Sequence, residues 1–206
     1  MSEQRPADGM DPMGPGGPWR AQALAELSTA GFDLLVIGGG ITGAGVALDA
    51  ASRGLRTALV ERADFASGTS SRSSKLVHGG LRYLAQREIR LVYEALAERQ
   101  RLLRLAPHLV EPLPHLIPVL GADKGAAAVR LRSRAISSAL RMYDLTGGAR
   151  IGKFHRRLDA EGVLARAPAL APERVAGGFL YYDARTDDAR LTLEVARTAV
   201  SRYGAV

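Results

Sequence analysis

The sequence predicts an α/β fold built around a parallel sheet of Rossmann type. The first observation is an apolar run at residues 32–37 that leads directly into three consecutive glycines. The second is a stretch of small, mostly apolar residues from 41 to 53, typical of a helix that crosses from one parallel strand to the next. The third is another strand-like run at residues 56–62. Together they predict a strand–helix–strand unit whose first strand is covered on both faces.

Composition limits the class of protein further. The chain has 206 residues, of which 47% are hydrophobic and 24% charged, as expected for one globular domain or one domain and part of another. It lacks cysteine, and its four histidines are far apart, so we expect neither a disulfide nor a metal site. The net charge of +7 favours an anionic partner, whereas 5% aromatic residues argue against a nucleic-acid surface.

Neither a membrane span nor a secretory signal is predicted. The apolar run that leads into the glycines is too interrupted to cross a bilayer, and the first thirteen residues contain acidic residues and no apolar core. We therefore expect a cytoplasmic location.

The other elements follow along the chain. Residues 1–18 are rich in proline and glycine and predict a disordered leader, followed by a short helix at 19–30. Residues 63–77 form a polar loop, and the apolar spacing after it predicts a long helix at 87–106. Three prolines within 111–120 favour an edge strand or a crossover. The prediction is completed by a basic helix at 124–143, a strand at 175–185 and a helix at 187–204.

Gly38, Gly40 and Gly43 give the spacing G-x-G-x-x-G between the first strand and the first crossover helix. The first glycine permits a tight turn, the second lets a pyrophosphate approach, and the third lets helix and strand pack closely. Glu61, at the end of the second strand, can accept hydrogen bonds from ribose hydroxyls and disfavours the 2′-phosphate of NADP. The pattern predicts a dinucleotide site and leaves NAD and FAD open. The simpler interpretation is that the glycines only ease strand–helix packing.

Several longer segments resemble one family. These are "LLVIGGGITGAGVALDAASRGLRTALVE", "GTSSRSSKLVHGGLRYL", "LVYEALAER", "LLRLAPHLV" and "DDARL". They are similar to the amino-terminal part of the FAD-dependent glycerol-3-phosphate dehydrogenases of the aerobic, respiratory type. The similarity runs from about residue 32 to the last residue and is weaker near 121–135. Of these segments, the one containing "SSKLVHGGLRYL" is far more specific than the glycine spacing.

The resemblance implies a fold, a cofactor and a reaction. The fold is a Rossmann-like FAD-binding domain of glutathione-reductase type, followed by the start of an α+β cap domain. The reaction is oxidation of sn-glycerol 3-phosphate to dihydroxyacetone phosphate by hydride transfer to flavin N5, with the electrons passed to a membrane quinone.

The resemblance also implies which residues contact the cofactor and the substrate. Residues implied to bind FAD lie in the glycine turn, at the end of the second strand and in the serine-rich loop: Gly38, Gly39, Gly40, Thr42, Gly43, Glu61, Arg62, Thr69, Ser70, Ser73, Ser74, Lys75 and Leu76. His78 is the candidate catalytic base or proton shuttle, since imidazole titrates near neutral pH. Arg82 is the candidate phosphate ligand and Tyr83 a candidate lining residue of the substrate pocket. The alternatives are that His78 only packs on the flavin and that Arg82 serves a structural ion pair.

The expected domain division is a leader and short helix at 1–30, an FAD-binding core at 31–111, the start of a cap domain at 112–185, and a return helix of the core at 186–206. The family's chains are longer, so we expect an incomplete fold with an open sheet edge beside the first strand, and a fragment that is inactive alone. Two alternatives stay open. One is a non-catalytic, dinucleotide-binding remnant, and the other is a related flavin oxidase acting on an amine or a hydroxy acid.

Arg130, Arg134 and Arg141 recur on successive turns of the basic helix. They predict a peripheral contact with anionic lipid on the cytoplasmic face of the membrane, in keeping with a quinone-reducing family. The alternative is an ordinary solvated helix face.

Overall fold

The structure is a computed structural model that describes residues 18–121 and 125–206. The predicted leader, apart from its last residue, and Lys124, the first residue of the predicted basic helix, lie outside the described residues. In chain order the elements are α1 Pro18–Thr29, β1 Leu34–Ile37, α2 Ile41–Ser52, β2 Thr57–Val60, β3 Leu76–Val77, α3 Leu81–Ala85, α4 Ile89–Leu105, β4 Val110–Leu120, α5 Ala126–Leu145, β5 Arg156–Leu158, α6 Ala160–Leu164, β6 Val175–Thr186 and α7 Asp188–Tyr203.

The chain divides into two compact units. The first contains the described residues up to Ser73 together with Asp188–Val206, and the second is Ser74–Asp187. The sequence prediction put residues 74–111 in the core domain, whereas the structure groups them with the second unit. The reason is hydrogen bonding, since β3 and β4 both pair with β6.

The first unit contains the predicted strand–helix–strand motif. β1 and β2 are parallel, with Leu34 opposite Thr57 and Ile37 opposite Val60. α2 connects them and packs on α7 through small side chains. Ala51 of α2 forms an apolar cluster with Ala199 of α7 and with Ala205. The amide of Val206 donates to the carbonyl of Thr57 at 3.0 Å, so the last residue lies beside β2.

The prediction that β1 is covered on both faces is wrong for the described residues. Val36 is buried, but the side chains of Leu35 and Ile37 are 55% and 82% exposed. Among the described elements β1 pairs with β2 and packs against α2, which covers one face only. An apolar sequence therefore predicted the strand correctly but not what covers it.

The second unit is an antiparallel sheet with helices. β6 lies between β4 on one side and the two short strands β3 and β5 on the other. β4 is an edge strand, as its prolines predicted. Proline has no backbone N–H group, and an edge position leaves some N–H positions without a required partner. Val119, Leu140 and Phe179 form one apolar core of this unit.

Short elements of the second unit were not predicted. The expected loop at 63–77 ends in β3, and a separate helix, α3, precedes α4. Arg87 has φ +64 in the segment between these helices, which interrupts the helical path. β5 and α6 span three and five residues, too few for a hydrophobic period to become visible.

Candidate functional site

The glycine turn of the first unit has the geometry expected for close strand–helix packing. Gly38 adopts φ +111, a conformation that favours glycine. A Cβ atom on Gly43 would lie 1.9 Å from the carbonyl oxygen of Gly38. A Cβ on Gly38, in contrast, would meet nothing within 4 Å, so the outer side of the turn is open. The turn therefore requires small residues inside and leaves room outside.

Glu61 is brought to this turn by β2. Its carboxylate accepts hydrogen bonds from the amides of Gly39 at 2.8 Å and Ala63 at 2.7 Å. These two bonds, first that from Ala63, lower the pKa of Glu61 and keep it ionised. Glu61 thus fixes the turn. Its carboxylate has further lone pairs, so it can also accept the predicted hydrogen bonds from ribose hydroxyls.

The serine-rich loop folds back on the same unit at two points. The Ser70 hydroxyl accepts a hydrogen bond from the amide of Ile41 at 2.9 Å, at the first residue of α2. Ser73 donates its amide and its hydroxyl to one carboxylate oxygen of Asp188, at 3.0 and 2.7 Å. The acidic start of α7 therefore anchors the loop. Thr42, Arg62 and Thr69 are exposed.

The residues present fit a dinucleotide. The first turn of an α-helix leaves backbone N–H groups that attract phosphate, and α2 begins at Ile41 after an N-terminal glycine that gives no side-chain cap. The open outer side of Gly38, the hydroxyl of Ser70 and the carboxylate of Glu61 are all within this one unit.

The second unit carries an open groove with a volume of about 530 Å³. It is lined by residues from just before β3 to α3 and by three residues of β4 and β6: Ser74, Leu76, His78, Gly80, Leu81, Arg82, His115, Tyr181 and Asp183. The structure thus brings four of the predicted site residues together, namely Ser74, Leu76, His78 and Arg82.

Tyr83 is not among those lining residues. Its hydroxyl accepts a hydrogen bond from Arg82 at 3.2 Å, and its ring packs on the cluster of Val92, Leu96 and Tyr143. That hydrogen bond raises the pKa of Arg82, whose guanidinium remains charged. In the structure Tyr83 supports Arg82, and its predicted contact with substrate stays a prediction.

Lys75 adopts φ +58, in the left-handed region that a side chain other than glycine rarely occupies. Its carbonyl oxygen accepts a hydrogen bond from the amide of Thr186 at 3.0 Å, which helps to hold this conformation. Backbone strain of this kind is concentrated at functional sites, which supports the prediction that the loop binds a ligand.

Sequence reasoning missed a buried charged cluster that borders the groove through one of its members, Asp183. Arg99, Tyr143 and Asp183 come from α4, α5 and β6, and all three are almost completely buried. Arg99 pairs with Asp183 at 2.6 Å, and the Tyr143 hydroxyl donates to the same carboxylate at 2.5 Å. The available signal was in α4, where Val92, Leu96 and Arg99 share the buried face, so a charge occupies an apolar stripe.

His115 and Tyr181 were also missed as groove residues. Their rings stack with centroids 5.1 Å apart, and Nε2 of His115 is buried without a hydrogen-bond partner among the described residues. Burial, followed by the charge of Asp183, raises the pKa of Tyr181 to about 12, so its hydroxyl is protonated near neutral pH. Alternation in the strand sequences was the only available signal for the two.

The described residues offer neither a metal site nor a membrane span. Over residues 18–121 and 125–206, no three His, Cys, Asp or Glu side chains are grouped so that they could hold a metal ion. No helix in the same ranges is both long and apolar enough to cross a membrane.

Comparisons with known proteins show the family of this chain. Residues 33–206 match the family model described as FAD dependent oxidoreductase. The chain belongs to the FAD-dependent oxidoreductase family. FAD is the cofactor of that family, which resolves the choice between NAD and FAD.

Individual relatives of this FAD-dependent oxidoreductase chain carry a more specific name. It is 51% identical over 189 residues to glycerol-3-phosphate dehydrogenase of Mycobacterium leprae, covering 91% of this chain and 31% of that protein. It is 45% identical over 192 residues to the human mitochondrial glycerol-3-phosphate dehydrogenase, covering 90% of this chain and 25% of that protein. The family resemblance found in the sequence is thereby confirmed.

A solved structure agrees with these relatives. The glycerol-3-phosphate dehydrogenase of Bacillus halodurans, complexed with FAD, superposes with a TM-score of 0.59 at 38% identity, covering 91% of this chain and 28% of that chain. The Rossmann-like FAD-binding fold predicted from the sequence is confirmed. The chain spans less than a third of the length of each of these relatives.

Proposed function

We propose that this chain carries the FAD-binding and substrate-contact residues of an enzyme that oxidises sn-glycerol 3-phosphate to dihydroxyacetone phosphate. The observation that carries the proposal is the groove of the second unit, in which His78 and Arg82 face one open space. A proton acceptor and a permanent cation are the two groups that a phosphorylated secondary alcohol requires. The relatives named as glycerol-3-phosphate dehydrogenases support this choice of substrate.

The chain's own residues divide the work. The glycine turn, Glu61 and Ser70 hold the dinucleotide. Thr42, Arg62 and Thr69 are exposed in the same unit and are further candidates for contact with it. FAD, when bound, supplies the acceptor for the hydrogen and the two electrons that leave C2 of the substrate. A ring nitrogen of His78 takes the proton of the C2 hydroxyl. The guanidinium of Arg82 binds the phosphate and thereby orients C2.

We further infer that a quinone accepts the electrons and that the protein contacts the cytoplasmic face of a membrane. Arg130, Arg134 and Arg141 are all exposed on α5. Helical geometry puts them within about 40° of each other around the helix axis. Leu145, 88% exposed, shares this face one turn further on. Basic and apolar side chains on one helix face are typical of a surface that lies on anionic lipid.

The substrate is tested in a chimera. In the Mycobacterium leprae relative, the 189 aligned residues are replaced by those of this chain. The relative supplies the rest of a complete protein. We expect the purified chimera to show bound flavin absorbance and to oxidise sn-glycerol 3-phosphate with a quinone analogue as acceptor. A flavin-containing chimera that oxidises amines or hydroxy acids, but not sn-glycerol 3-phosphate, would contradict the proposal.

A pair of glycine variants tests the cofactor site in the same chimera. Gly43→Ala places a Cβ atom against the carbonyl of Gly38 and should remove the flavin absorbance. Gly45→Ala is the matched control, because a Cβ on this residue of α2 would meet nothing within 4 Å. Equal flavin content in the two variants would show that the turn is not the dinucleotide site.

A further inference from the structure

The segment that carries His78 and Arg82 has two glycines between these residues. It contains Gly79 and Gly80, and Gly80 adopts φ +66. Two successive glycines leave a backbone with little stiffness of its own. Something outside the segment must therefore hold the two functional side chains in register.

The buried cluster of Arg99, Tyr143 and Asp183 touches this segment at its centre. The amide of Gly79 lies 3.1 Å from the Tyr143 hydroxyl and 3.3 Å from a carboxylate oxygen of Asp183. A Cβ atom on Gly79 would lie 2.3 Å from a side-chain carbon of Leu96 and 2.7 Å from the Tyr143 hydroxyl. Only glycine lets the backbone come this close, so the peptide between His78 and Gly79 rests directly on the cluster.

The donor and acceptor pattern of the cluster is consistent. Burial and the neighbouring carboxylate of Asp183 raise the pKa of Tyr143 well above its usual value, so the phenol keeps its proton. That proton is donated to Asp183, and the oxygen of the phenol is left to accept from the Gly79 amide. Arg99 holds the far side by donating to Asp183 and to the carbonyl oxygens of Gly148 and Tyr182.

Stability alone does not explain these residues. A buried ion pair loses the hydration of both charges, and apolar residues of similar volume are often equally stable in its place. Here Nε of Arg99 is in addition buried without a partner among the described residues. What apolar side chains could not supply is an acceptor for the Gly79 amide at a fixed place.

We propose that Arg99, Tyr143 and Asp183 are positioning residues that fix the Gly79 peptide and, through it, His78 and Arg82. The cluster acts on the segment without needing to touch the reacting atoms. The part of the inference that concerns catalysis rests on the proposed function, whereas the part that concerns Gly79 does not.

The first test measures amide hydrogen exchange by NMR in the 206-residue chain. Tyr143→Phe keeps the ring and removes the nearer of the two acceptors of the Gly79 amide, leaving only the longer contact with Asp183. We expect exchange at Gly79 to accelerate at least about tenfold, while the amides of Val92 and Leu96 in α4 change little, as local opening differs from global unfolding. An unchanged Gly79, or equal acceleration at all three amides, would overturn the inference.

Two controls separate this effect from general damage. Tyr93→Phe makes the same chemical change on a half-exposed tyrosine of α4 and should leave Gly79 unchanged. Asp144→Asn weakens the partly buried contact with His155 in the same unit, where the carboxylate lies 2.6 Å from a ring nitrogen, and matches the loss of a side-chain interaction. It should lower the melting temperature without a selective change at Gly79.

The second test measures the catalytic consequence in the chimera. Misplacing His78 affects any alcohol, so Tyr143→Phe should lower kcat/KM for both sn-glycerol 3-phosphate and glycerol, about 10- to 100-fold. The loss should be larger for sn-glycerol 3-phosphate, because Arg82 is misplaced as well. Unchanged kcat/KM with accelerated exchange at Gly79 would show that the cluster holds the peptide but does not position the site. A wild-type chimera without activity toward either alcohol would count against the proposed function, and the exchange result would still decide the contact with Gly79.

Discussion

His78 and Arg82 owe their shared groove to neighbours that have no reactive chemistry. The two glycines between them let the chain turn, and Tyr83 packs on the apolar cluster while its hydroxyl accepts from Arg82. A phosphate ligand needs a charged, exposed guanidinium whose direction is restrained, and Arg82 meets both conditions. The residue assigned to phosphate binding is therefore oriented before a ligand arrives.

Arg82→Ala in the chimera separates phosphate binding from chemistry. A charge-assisted contact with phosphate contributes about 1.5–3 kcal/mol, so KM for sn-glycerol 3-phosphate should rise about 10- to 100-fold. KM for glycerol, which has no phosphate, should change far less. Arg90→Ala is the matched control, because the side chain of Arg90 is 92% exposed and pairs with Glu94 outside the groove. Equal losses for both substrates in Arg82→Ala would show that Arg82 is structural.

Single residues also show what could be predicted from the sequence. The glycine spacing and the "HGGLRYL" segment were visible because they are local, and a local motif keeps its meaning before the chain folds. The cluster under Gly79 was not, since Arg99, Tyr143 and Asp183 meet only when α4, α5 and β6 pack together. A lone arginine on the apolar stripe of α4 indicated a buried partner but not which one.

At the scale of elements, length and context decided what the sequence could predict. The long helices of the second unit were predicted from their apolar residues, both parallel strands of the first unit from short apolar runs, and the edge position of β4 from its prolines. Short elements such as α3, β5 and α6 depend on tertiary contacts and carry no period of their own. The burial of β1 was overestimated, because an apolar strand does not specify which element covers it.

The basic face of α5 gives a prediction for a membrane surface. Replacing Arg130, Arg134 and Arg141 together by Gln should weaken binding of the chimera to anionic vesicles about a hundredfold at low salt, since each basic residue near such a surface contributes about 1 kcal/mol. Co-sedimentation measures the bound fraction, and added salt should reduce wild-type binding by screening. Replacing Arg90, Arg101 and Arg104 of α4 by Gln makes the same change in net charge elsewhere. Equal weakening by the two triple variants would indicate a general charge effect and contradict a specific contact through α5.

At the scale of the whole molecule, the candidate site residues are distributed over both compact units. The glycine turn, the carboxylate of Glu61 and most of the serine-rich loop lie in the first unit. The groove with His78 and Arg82 lies in the second unit. The fold of each unit follows from its own sequence pattern, which is why the family could be inferred from a chain that spans less than a third of its relatives. The domain boundary was placed too late, because pairing of β3 and β4 with β6 overrides their order in the sequence.

The central claim is that the segment from Ser74 to Arg82 contacts the reactive end of bound FAD. A crystal structure of the chimera with FAD tests it most directly. We expect density for the flavin ring in van der Waals or hydrogen-bond contact with His78 and the peptide of Gly79. The rest of the groove of the second unit should be free for substrate. A flavin ring bound elsewhere, with this segment exposed to solvent and remote from the cofactor, would contradict the assignment of both His78 and Arg82.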